Sequence, residues 1–234
     1  FAEESECPVC RMYQKLEENA INYTIGPGAS YMEGDIREQS DEQGFCQKHL
    51  EMLYEYPNKL GLAMMLKTHM DKTAKELKKA MKAPLPQAAV LFRKKSQTVH
   101  PVITFVEEKE KKCFVCDYIN HSFTNYINTI YYLYEKEEDF RKQFAASKGF
   151  CVNHYKVLFS GAPEYMGKKY LNEFLMTLNE TFINGYERVR DDLEWFICKN
   201  DYRYKEQPWK NARDALQRGL VKAGSIMEAE EKKE

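Results

Sequence analysis

Two long stretches of the chain repeat apolar residues at intervals of three or four positions, with polar residues between them. This spacing places the apolar side chains on one face of an α-helix, so each stretch predicts an amphipathic helix. Segments rich in Gly, Pro and Asn at positions 25–30, 56–61 and 160–163 predict turns between helices. The apolar positions are Leu66, Met70, Ala74, Leu77 and Met81 in the first stretch, and Leu171, Leu175, Leu178, Phe182, Tyr186, Val189, Leu193 and Phe196 in the second.

One short segment favours a β-strand. Residues 101–106, with the sequence PVITFV, are rich in the β-branched side chains that strands prefer. After the second long helical stretch, the pattern predicts a turn and then a short helix from about Ala212, followed by a solvated tail. The chain as a whole predicts an all-α fold.

The chain contains an internal duplication. Each copy begins with Cys-x-x-Cys, continues through D-x-R-x-Q to Gly-Phe-Cys-x-x-His, and ends in one of the long helical patterns. The two cysteine motifs are separated by 35 residues in the first copy and by 34 in the second. We predict two tandem helical repeats, at residues 1–82 and 113–200, packed about a pseudo-twofold axis. A linker at 83–112 that packs partly on the core would join them, and residues 201–234 would form a C-terminal extension.

The cysteine and histidine pairs suit a metal ion. Zinc takes four tetrahedral ligands from thiolate sulfur and imidazole nitrogen, and each pair supplies two of them from one turn of backbone. Two helices running out and back are expected to bring both pairs of one copy together, with Gly44 and Gly149 forming the tight turn before each Cys-x-x-His. The predicted ligands are Cys7, Cys10, Cys46 and His49 in the first copy, and Cys113, Cys116, Cys151 and His154 in the second.

Several kinds of chemistry remain open for these pairs. Four protein ligands leave no coordination position for a reacting water, so we interpret both sites as structural zinc sites. An iron–sulfur cluster held by three cysteines and one histidine is the main alternative. A thioredoxin-like role for the Cys-x-x-Cys pairs is another, although the chain lacks the βαβ pattern usual for that motif. The seventh cysteine, Cys198, is expected to be a small buried residue on an apolar stripe.

Charge and hydropathy narrow the classes of partner. The chain has 35 basic and 36 acidic residues, for a net charge of −1, so no overall field favours nucleic acid or an anionic membrane. No apolar run reaches the roughly 18 residues that span a bilayer. An odd number of cysteines, seven, in a helical chain rich in Lys and Glu favours metal binding in a reducing compartment. We therefore expect a cytoplasmic protein.

The repeated D-x-R-x-Q residues are a weaker candidate for chemistry. We expect them to cap and ion-pair the helix that leads to each Gly-Phe-Cys turn, with a polar pocket as the alternative. The chain has no phosphate-binding loop, nucleophile elbow or HExxH motif, so no catalytic residue is predicted. The repeated residues are Asp35, Arg37 and Gln39 in the first copy, and Asp139, Arg141 and Gln143 in the second.

The segments ECPVC, GFCQKHLEMLY, NKLGLAMML, CFVCDYI, SKGFCVNHY and DYRYKEQPWKNARDAL together resemble an uncharacterised family of bacterial proteins, a domain of unknown function found mostly in anaerobic Firmicutes such as clostridia. The resemblance covers nearly the whole chain. It implies a bacterial cytoplasmic setting and marks the eight cysteine and histidine residues above as the family's hallmark. It implies no activity, and an anaerobic setting strengthens the iron–sulfur alternative.

These observations together predict a zinc-binding protein without enzymatic activity, with two ions per chain. Its function would be to bind a protein or a small ligand through the groove between the two copies, and neither nucleic acid nor a membrane is expected as a partner. The alternative is an iron–sulfur or thiol-based redox protein or sensor. A further possibility is an enzyme whose pocket uses the D-x-R-x-Q residues and neighbouring aromatic side chains.

Overall fold

The computed structural model describes residues 1, 5–28, 30–86 and 99–225, which form ten α-helices, two 3₁₀ helices and no β-strand. The all-α prediction is confirmed. The α-helices are α1 (Pro8–Ile25), α2 (Gly34–Gln43), α3 (Gln47–Glu55), α4 (Lys59–Ala80), α5 (Pro101–Glu110), α6 (Phe114–Lys136), α7 (Glu138–Ala146), α8 (Val152–Tyr165), α9 (Lys168–Cys198) and α10 (Ala215–Gly224). The 3₁₀ helices are Ser30–Met32 and Tyr202–Tyr204.

The chain divides into two compact units, and this division differs from the predicted repeats at 1–82 and 113–200. The first unit holds Phe1–Leu16 and Ser122–Glu234, and the second unit holds Glu17–His121. The boundaries fall inside α1 and α6, so each of these helices begins in one unit and ends in the other. Each unit therefore contains residues from both copies of the duplicated sequence.

The first unit has an aromatic core. Phe144 and Phe174 are fully buried, with ring centroids 5.2 Å apart, and the buried ring of Tyr134 packs edge-on against both. Such pairs contribute roughly 0.5–1.5 kcal/mol each beyond the area they bury. Every position of the apolar stripe predicted for α9 is buried or partly buried, with Leu178 and Val189 the most enclosed. The 31-residue helix α9 is thus the main core element of this unit.

The second unit packs α2, α3 and α4 with the end of α1 and the start of α6. Its buried apolar side chains include Ile21, Ile25, Ile36, Leu53, Leu62, Met65 and Ile119. The helix predicted from the first apolar stripe is present as α4. Its burial is confined to the first two turns, however, because Met70 is 65% exposed and Ala74 is also exposed. The second half of α4 does not carry the core.

The β-strand predicted at 101–106 is wrong, since this segment begins α5. Pro101 occupies the first helical position, where its missing N–H costs nothing, and the Nδ1 atom of His100 accepts a hydrogen bond from the N–H of Val102 at 3.2 Å. These start signals outweigh the β-branched composition. No residue of α5 is buried, and Ile103 and Val106 are exposed. Helix α5 nevertheless contacts α4, with Val102 and Phe105 partly buried, so this part of the linker does pack on the fold. Residues 87–98 of the linker lie outside the described residues.

The C-terminal extension is organised around Lys199, which ends α9. Its buried ammonium group donates hydrogen bonds to the carbonyl oxygens of Tyr204, Lys205 and Gln207, at 2.9, 2.7 and 2.6 Å. The chain then forms α10, which packs on α9 through the buried Arg218. The predicted short helix is therefore present, beginning three residues later than expected.

Candidate metal centres

Four helices begin with the same arrangement of a ligand pair. In each, a cysteine stands directly before the first helical residue, and its carbonyl oxygen accepts a hydrogen bond from the N–H four residues later, at 2.9–3.2 Å. The second member of the pair is the third residue of the helix, so both side chains lie on the same side of the first turn. The pairs are Cys7 and Cys10 on α1, Cys46 and His49 on α3, Cys113 and Cys116 on α6, and Cys151 and His154 on α8.

Helix N-termini suit thiolates. The unpaired N–H groups of the first turn carry partial positive charge, which stabilises a negatively charged sulfur. The N–H of Cys116 donates to Cys113 Sγ at 3.4 Å, and the N–H of His154 donates to Cys151 Sγ at the same distance. In these two pairs the first cysteine therefore also caps its helix, whereas Cys46 makes no such hydrogen bond.

The four pairs combine into two groups, but not in the way that the sequence predicts. Each group takes Cys-x-x-Cys from one copy and Cys-x-x-His from the other, so the predicted grouping within each copy is wrong. The nitrogen and sulfur ligand atoms of each group lie within 4.8 Å of one another. The first centre contains Cys7, Cys10, Cys151 and His154, and the second centre contains Cys46, His49, Cys113 and Cys116. Each centre lies wholly within the unit of the same number.

Helix length explains the exchange in the second copy. The 23 residues of α6 carry the chain about 35 Å away from Cys113 and Cys116, whereas the nine residues of α7 span about 14 Å. Four residues between α7 and Cys151 add at most about 14 Å even when fully extended. Helix α7 therefore covers less than half of the length of α6, and the chain turns into Cys151 before it has returned to Cys116. The two helices of this copy do run out and back, but over unequal lengths, so they do not bring its two ligand pairs together.

Gly44 and Gly149 form the turns before the two Cys-x-x-His pairs, as predicted. Their φ angles are +65° and +95°, a region that side chains with a Cβ rarely adopt. A Cβ on Gly149 would also lie 2.6 Å from the carbonyl oxygen of Thr181. Glycine is therefore required here by backbone conformation and, at Gly149, by the close approach of α9.

The three sulfur atoms of the first centre are enclosed by the protein and lie close to one imidazole nitrogen. Cys10 Sγ lies 3.5 Å from Cys151 Sγ and 3.2 Å from His154 Nδ1, and Cys151 Sγ lies 3.2 Å from the same nitrogen. Cys7 Sγ is 3.6 Å from His154 Nδ1. The three cysteines are buried, and the histidine is partly exposed. One imidazole nitrogen thus faces all three sulfur atoms.

The second centre repeats this geometry. His49 Nδ1 lies 3.3 Å from the sulfur of each of Cys46, Cys113 and Cys116. The sulfurs of Cys46 and Cys116 are 3.9 Å apart. His49 and Cys113 are buried, while Cys46 and Cys116 are partly exposed.

Both donor sets fit a single tetrahedral ion. Zn–S bonds of about 2.3 Å and Zn–N bonds of about 2.0–2.1 Å place sulfur atoms about 3.8 Å apart, and sulfur about 3.5 Å from nitrogen. The two centres have S···S distances of 3.5 and 3.9 Å and S···N distances of 3.2–3.6 Å. These distances match those expected between ligands that share one zinc ion.

The far side of the His49 ring is held by an acidic residue that sequence reasoning missed. Glu17 Oε1 lies 3.1 Å from His49 Nε2 and 2.5 Å from Lys48 Nζ. Burial raises the pKa of Glu17, but the hydrogen bonds from His49 and Lys48 outweigh burial and lower it. A carboxylate on Nε2 directs the Nδ1 lone pair toward a metal. Glu17 is 32 residues from His49, and no sequence pattern linked the two.

The first centre has different surroundings. Ser225 Oγ lies 3.0 Å from Cys151 Sγ and accepts a hydrogen bond from the side chain of Asn153 at 3.0 Å. Next to Cys7, the carboxylate of Glu6 forms ion pairs with Arg188 at 2.6 Å and with the buried Lys222 at 3.3 Å. Lys222 also donates to the carbonyl oxygen of Glu6 at 2.7 Å. Buried charges of both signs therefore adjoin this centre.

The close spacing of the cysteine sulfur atoms within each centre favours the binding of a positive ion between them. Burial and the neighbouring Cys113 raise the pKa of Cys116 to about 12. Burial also raises the pKa of Cys113, but hydrogen bonds from His49 and from the N–H of Cys116 outweigh burial and lower the pKa to about 6. In the first centre, the hydrogen bond between Cys10 and Cys151 raises the pKa of Cys10 and lowers that of Cys151. Neighbouring thiolates repel each other, and a divalent cation removes that repulsion.

The D-x-R-x-Q residues support helices. Arg37 donates hydrogen bonds to the Met64 carbonyl oxygen at 3.2 Å and to Thr68 Oγ1 at 2.9 Å, which ties α2 to α4. Arg141 donates to the Tyr134 carbonyl oxygen at 2.9 Å, near the end of α6. Asp139 lies in the first turn of α7, where its negative charge suits the helix N-terminus. Neither α2 nor α7 has a side-chain hydrogen bond capping its start, so the capping prediction is wrong, and the two arginines instead bind carbonyl oxygens of neighbouring helices.

Outside the two centres, the features identified in the sequence add no further candidate for a reactive or metal-binding site among the described residues. No additional group of His, Cys, Asp and Glu in this part of the chain is close enough to hold a metal. Cys198 is partly exposed rather than buried.

An apolar cavity of about 430 Å³ lies between α9 and α10, lined by side chains that include Tyr186, Leu193 and Ile197. Within the described ranges, no helix combines the length and apolar character needed to cross a bilayer.

Comparison with known proteins places the chain in a family but assigns no activity. No curated protein and no solved structure matches the chain. The match to the family of unknown function DUF6062 extends over residues 1–230, which includes both centres and α10. The protein therefore belongs to the family of unknown function DUF6062.

Proposed function

We propose that the protein is a zinc-binding helical protein with two structural Cys3His sites, and that it serves as a ligand- or protein-binding regulatory module in the bacterial cytoplasm. The observation that best supports this proposal is that there are two four-residue groups, and that the ligand atoms within each group lie within 4.8 Å of one another. Cys7, Cys10, Cys151 and His154 would hold one ion, and Cys46, His49, Cys113 and Cys116 the other.

Ligand spacing supports zinc over an iron–sulfur cluster. A cluster binds its cysteines through separate iron atoms, so its thiolates lie farther apart than those that share one ion. Sulfur pairs at 3.5 and 3.9 Å suit a shared ion. The Glu17 carboxylate on His49 Nε2 is also the usual outer partner of a zinc-bound imidazole.

Each ion would connect the first turns of two helices. The first centre joins α1 to α8, and the second joins α3 to α6. These helix pairs are distant in sequence, so a bond between them restricts the unfolded chain strongly. Because protein side chains fill all four positions, a bound ion would have no free site for a substrate or a reacting water. This supports a non-enzymatic role for the centres.

Elemental analysis of protein purified without oxygen, together with a visible spectrum of the same sample, tests the proposal. We expect about two zinc ions per chain, from two Cys3His sets, and no absorption near 400 nm. Iron with inorganic sulfide and a broad band in that region would replace the proposal with an electron-transfer or sensing role. Protein that binds no metal under these conditions would leave the cysteines as redox thiols.

A second measurement tests whether the ions are structural. Removal of zinc by a strong chelator is expected to lower the midpoint of urea unfolding, because metal binding energy contributes directly to folding. Re-addition of zinc should restore the midpoint. Unfolding curves that coincide with and without the metal would contradict a structural role.

A further inference from the structure

The two centres have the same ligand types but expose different atoms to solvent. In the first centre, Cys7, Cys10 and Cys151 are at most 2% exposed. In the second centre the histidine is enclosed instead, with His49 2% exposed, while Cys46 and Cys116 are partly exposed. Solvent thus reaches two of the three thiol ligands of the second centre, Cys46 and Cys116, but none of those of the first.

This difference matters for oxidation. Peroxides attack thiolate sulfur and not imidazole, and the rate depends on access to the sulfur. Cys46 and Cys116 come from different helices, α3 and α6, with their sulfurs 3.9 Å apart. An oxidised sulfur at either position would therefore have a second thiolate within reach.

We propose that Cys46 and Cys116 form a site of oxidative modification, at which hydrogen peroxide converts two zinc-bound thiolates to a disulfide and releases the ion from the second centre. This inference rests on the proposed function, namely that the second centre binds zinc. It assigns a redox-sensitive role to one of two otherwise matched centres, with the other remaining a structural clamp.

The reaction balances with one peroxide molecule. The Cys46 thiolate attacks an oxygen of hydrogen peroxide, the O–O bond breaks, and the products are a sulfenic acid and hydroxide. The Cys116 thiolate then attacks the sulfenic sulfur, an S–S bond forms, and a second hydroxide leaves. Two sulfurs lose two electrons in total, the peroxide gains them, and two protons from solvent convert the hydroxides to water. Cys113 and His49 are left as two ligands, too few to retain the ion.

Sulfur spacing alone does not select the second centre. Cys10 and Cys151 are closer, at 3.5 Å, yet both are buried. Cys151 Sγ also accepts the N–H of His154 and lies 3.0 Å from Ser225 Oγ, so protein atoms surround it. Access of the oxidant to sulfur is the property that differs between the centres.

The test uses the full chain loaded with two zinc ions, with Cys198→Ser to remove the cysteine outside both centres. Hydrogen peroxide is added, released zinc is followed with a chromogenic chelator, and disulfides are mapped by mass spectrometry after alkylation. We expect one ion per chain to leave at least about tenfold faster than the other, because reactivity follows thiolate exposure, and the first disulfide to join Cys46 to Cys116.

Three results would overturn the inference while leaving the proposed function intact: equal release rates for the two ions, a first disulfide between Cys10 and Cys151, or one between Cys113 and Cys116. A starting protein that binds no zinc would instead contradict the proposed function and the inference together. The stoichiometry measured before oxidation therefore separates the two failures.

Matched variants provide an independent check. Cys10 and Cys116 occupy equivalent positions, each being the third residue of its helix. Cys10→Ser is expected to leave one ion, in the second centre, that peroxide releases rapidly. Cys116→Ser is expected to leave one ion, in the first centre, that peroxide releases slowly. The opposite order of rates would refute the assignment of the reactive site.

Discussion

His49 is held from both sides of its ring. Its Nδ1 atom faces three sulfurs at 3.3 Å, and its Nε2 atom lies 3.1 Å from Glu17. Burial lowers the pKa of His49, but hydrogen bonds to Cys113 and Glu17 outweigh burial and raise it to about 9. The Glu17 carboxylate therefore both orients the imidazole and increases its basicity, two effects that strengthen a metal ligand.

Glu17→Gln is expected to weaken zinc binding at the second centre about tenfold, the lower end of the usual effect of removing such an outer partner. Affinity at the first centre should not change. Competition with a zinc chelator would show one of the two ions leaving more easily. Glu55→Gln, at the exposed far end of α3, is the charge-matched control and should behave like the wild type. Equal weakening of both ions would contradict the role assigned to Glu17.

The spacing of cysteine and histidine along the sequence identified all eight candidate ligands. Two ligands with two residues between them at a helix start are a local feature that the sequence shows directly. Glu17 was not identifiable in the same way. Its contact with His49 depends on the packing of α1 against α3, and many other glutamates in the chain have similar local surroundings. A residue that contacts a ligand from a distant part of the chain follows no regular spacing in the sequence, so the sequence does not identify it.

Lys199 holds the end of α9 and the segment after it. Its ammonium group donates to three carbonyl oxygens, and the ring of Trp209 lies 5.3 Å from it. Lys199→Met leaves those carbonyl oxygens without their donor, and we expect a loss of about 2 kcal/mol in stability. The chain has two tryptophans, Trp195 and Trp209, and both flank this segment, so tryptophan fluorescence should shift. Lys205→Met, an exposed lysine in the same segment, should leave the spectrum and the stability unchanged.

The helices themselves were largely predictable, since apolar residues at three-to-four spacing marked α4 and α9. The segment 101–106 was not, because β-branched residues describe a preference for packing on a sheet and no strand is available there to pair with it among the described residues. Pro101 and His100 were the informative residues, as a proline in the first helical turn and a side-chain cap before it. In so short a segment, the helix start signals outweigh the β-branched composition.

The turns before α3 and α8 depend on glycine. Gly149→Ala combines an unfavourable φ of +95° with a Cβ placed 2.6 Å from the backbone oxygen of Thr181, and we expect a loss of about 3 kcal/mol. Gly44→Ala, with a φ of +65°, should cost less, about 2 kcal/mol, because its close neighbour is the movable ring of His69. Urea unfolding followed by circular dichroism measures both changes.

Gly34→Ala is the control for these substitutions. Gly34 begins α2, has no heavy atom within 4 Å of an added Cβ, and should tolerate alanine with no loss of stability. If Gly149→Ala unfolded at the same urea concentration as Gly34→Ala, the requirement for glycine at the turn would be wrong.

On the scale of the whole chain, the duplication was visible in sequence, but the partner of each motif was not. Either grouping of the four pairs yields two complete Cys3His sets, so ligand chemistry cannot choose between them. The helix lengths agree with the crossed grouping, since α6 has 23 residues and the following α7 only nine. A fold derived from motif order alone therefore assigns the right residues to the wrong centres.

Double variants distinguish the two groupings by stoichiometry. Cys10 and Cys46 belong to different centres in the structure but to the same set in the copy-by-copy grouping. Cys10→Ser with Cys46→Ser should therefore abolish binding of both ions. Cys10 and Cys151 share the first centre, so Cys10→Ser with Cys151→Ser should leave one ion per chain. The two variants carry the same number of substitutions of the same kind, so a general loss of stability would affect both. One ion in the first variant and none in the second would reverse the crossed assignment.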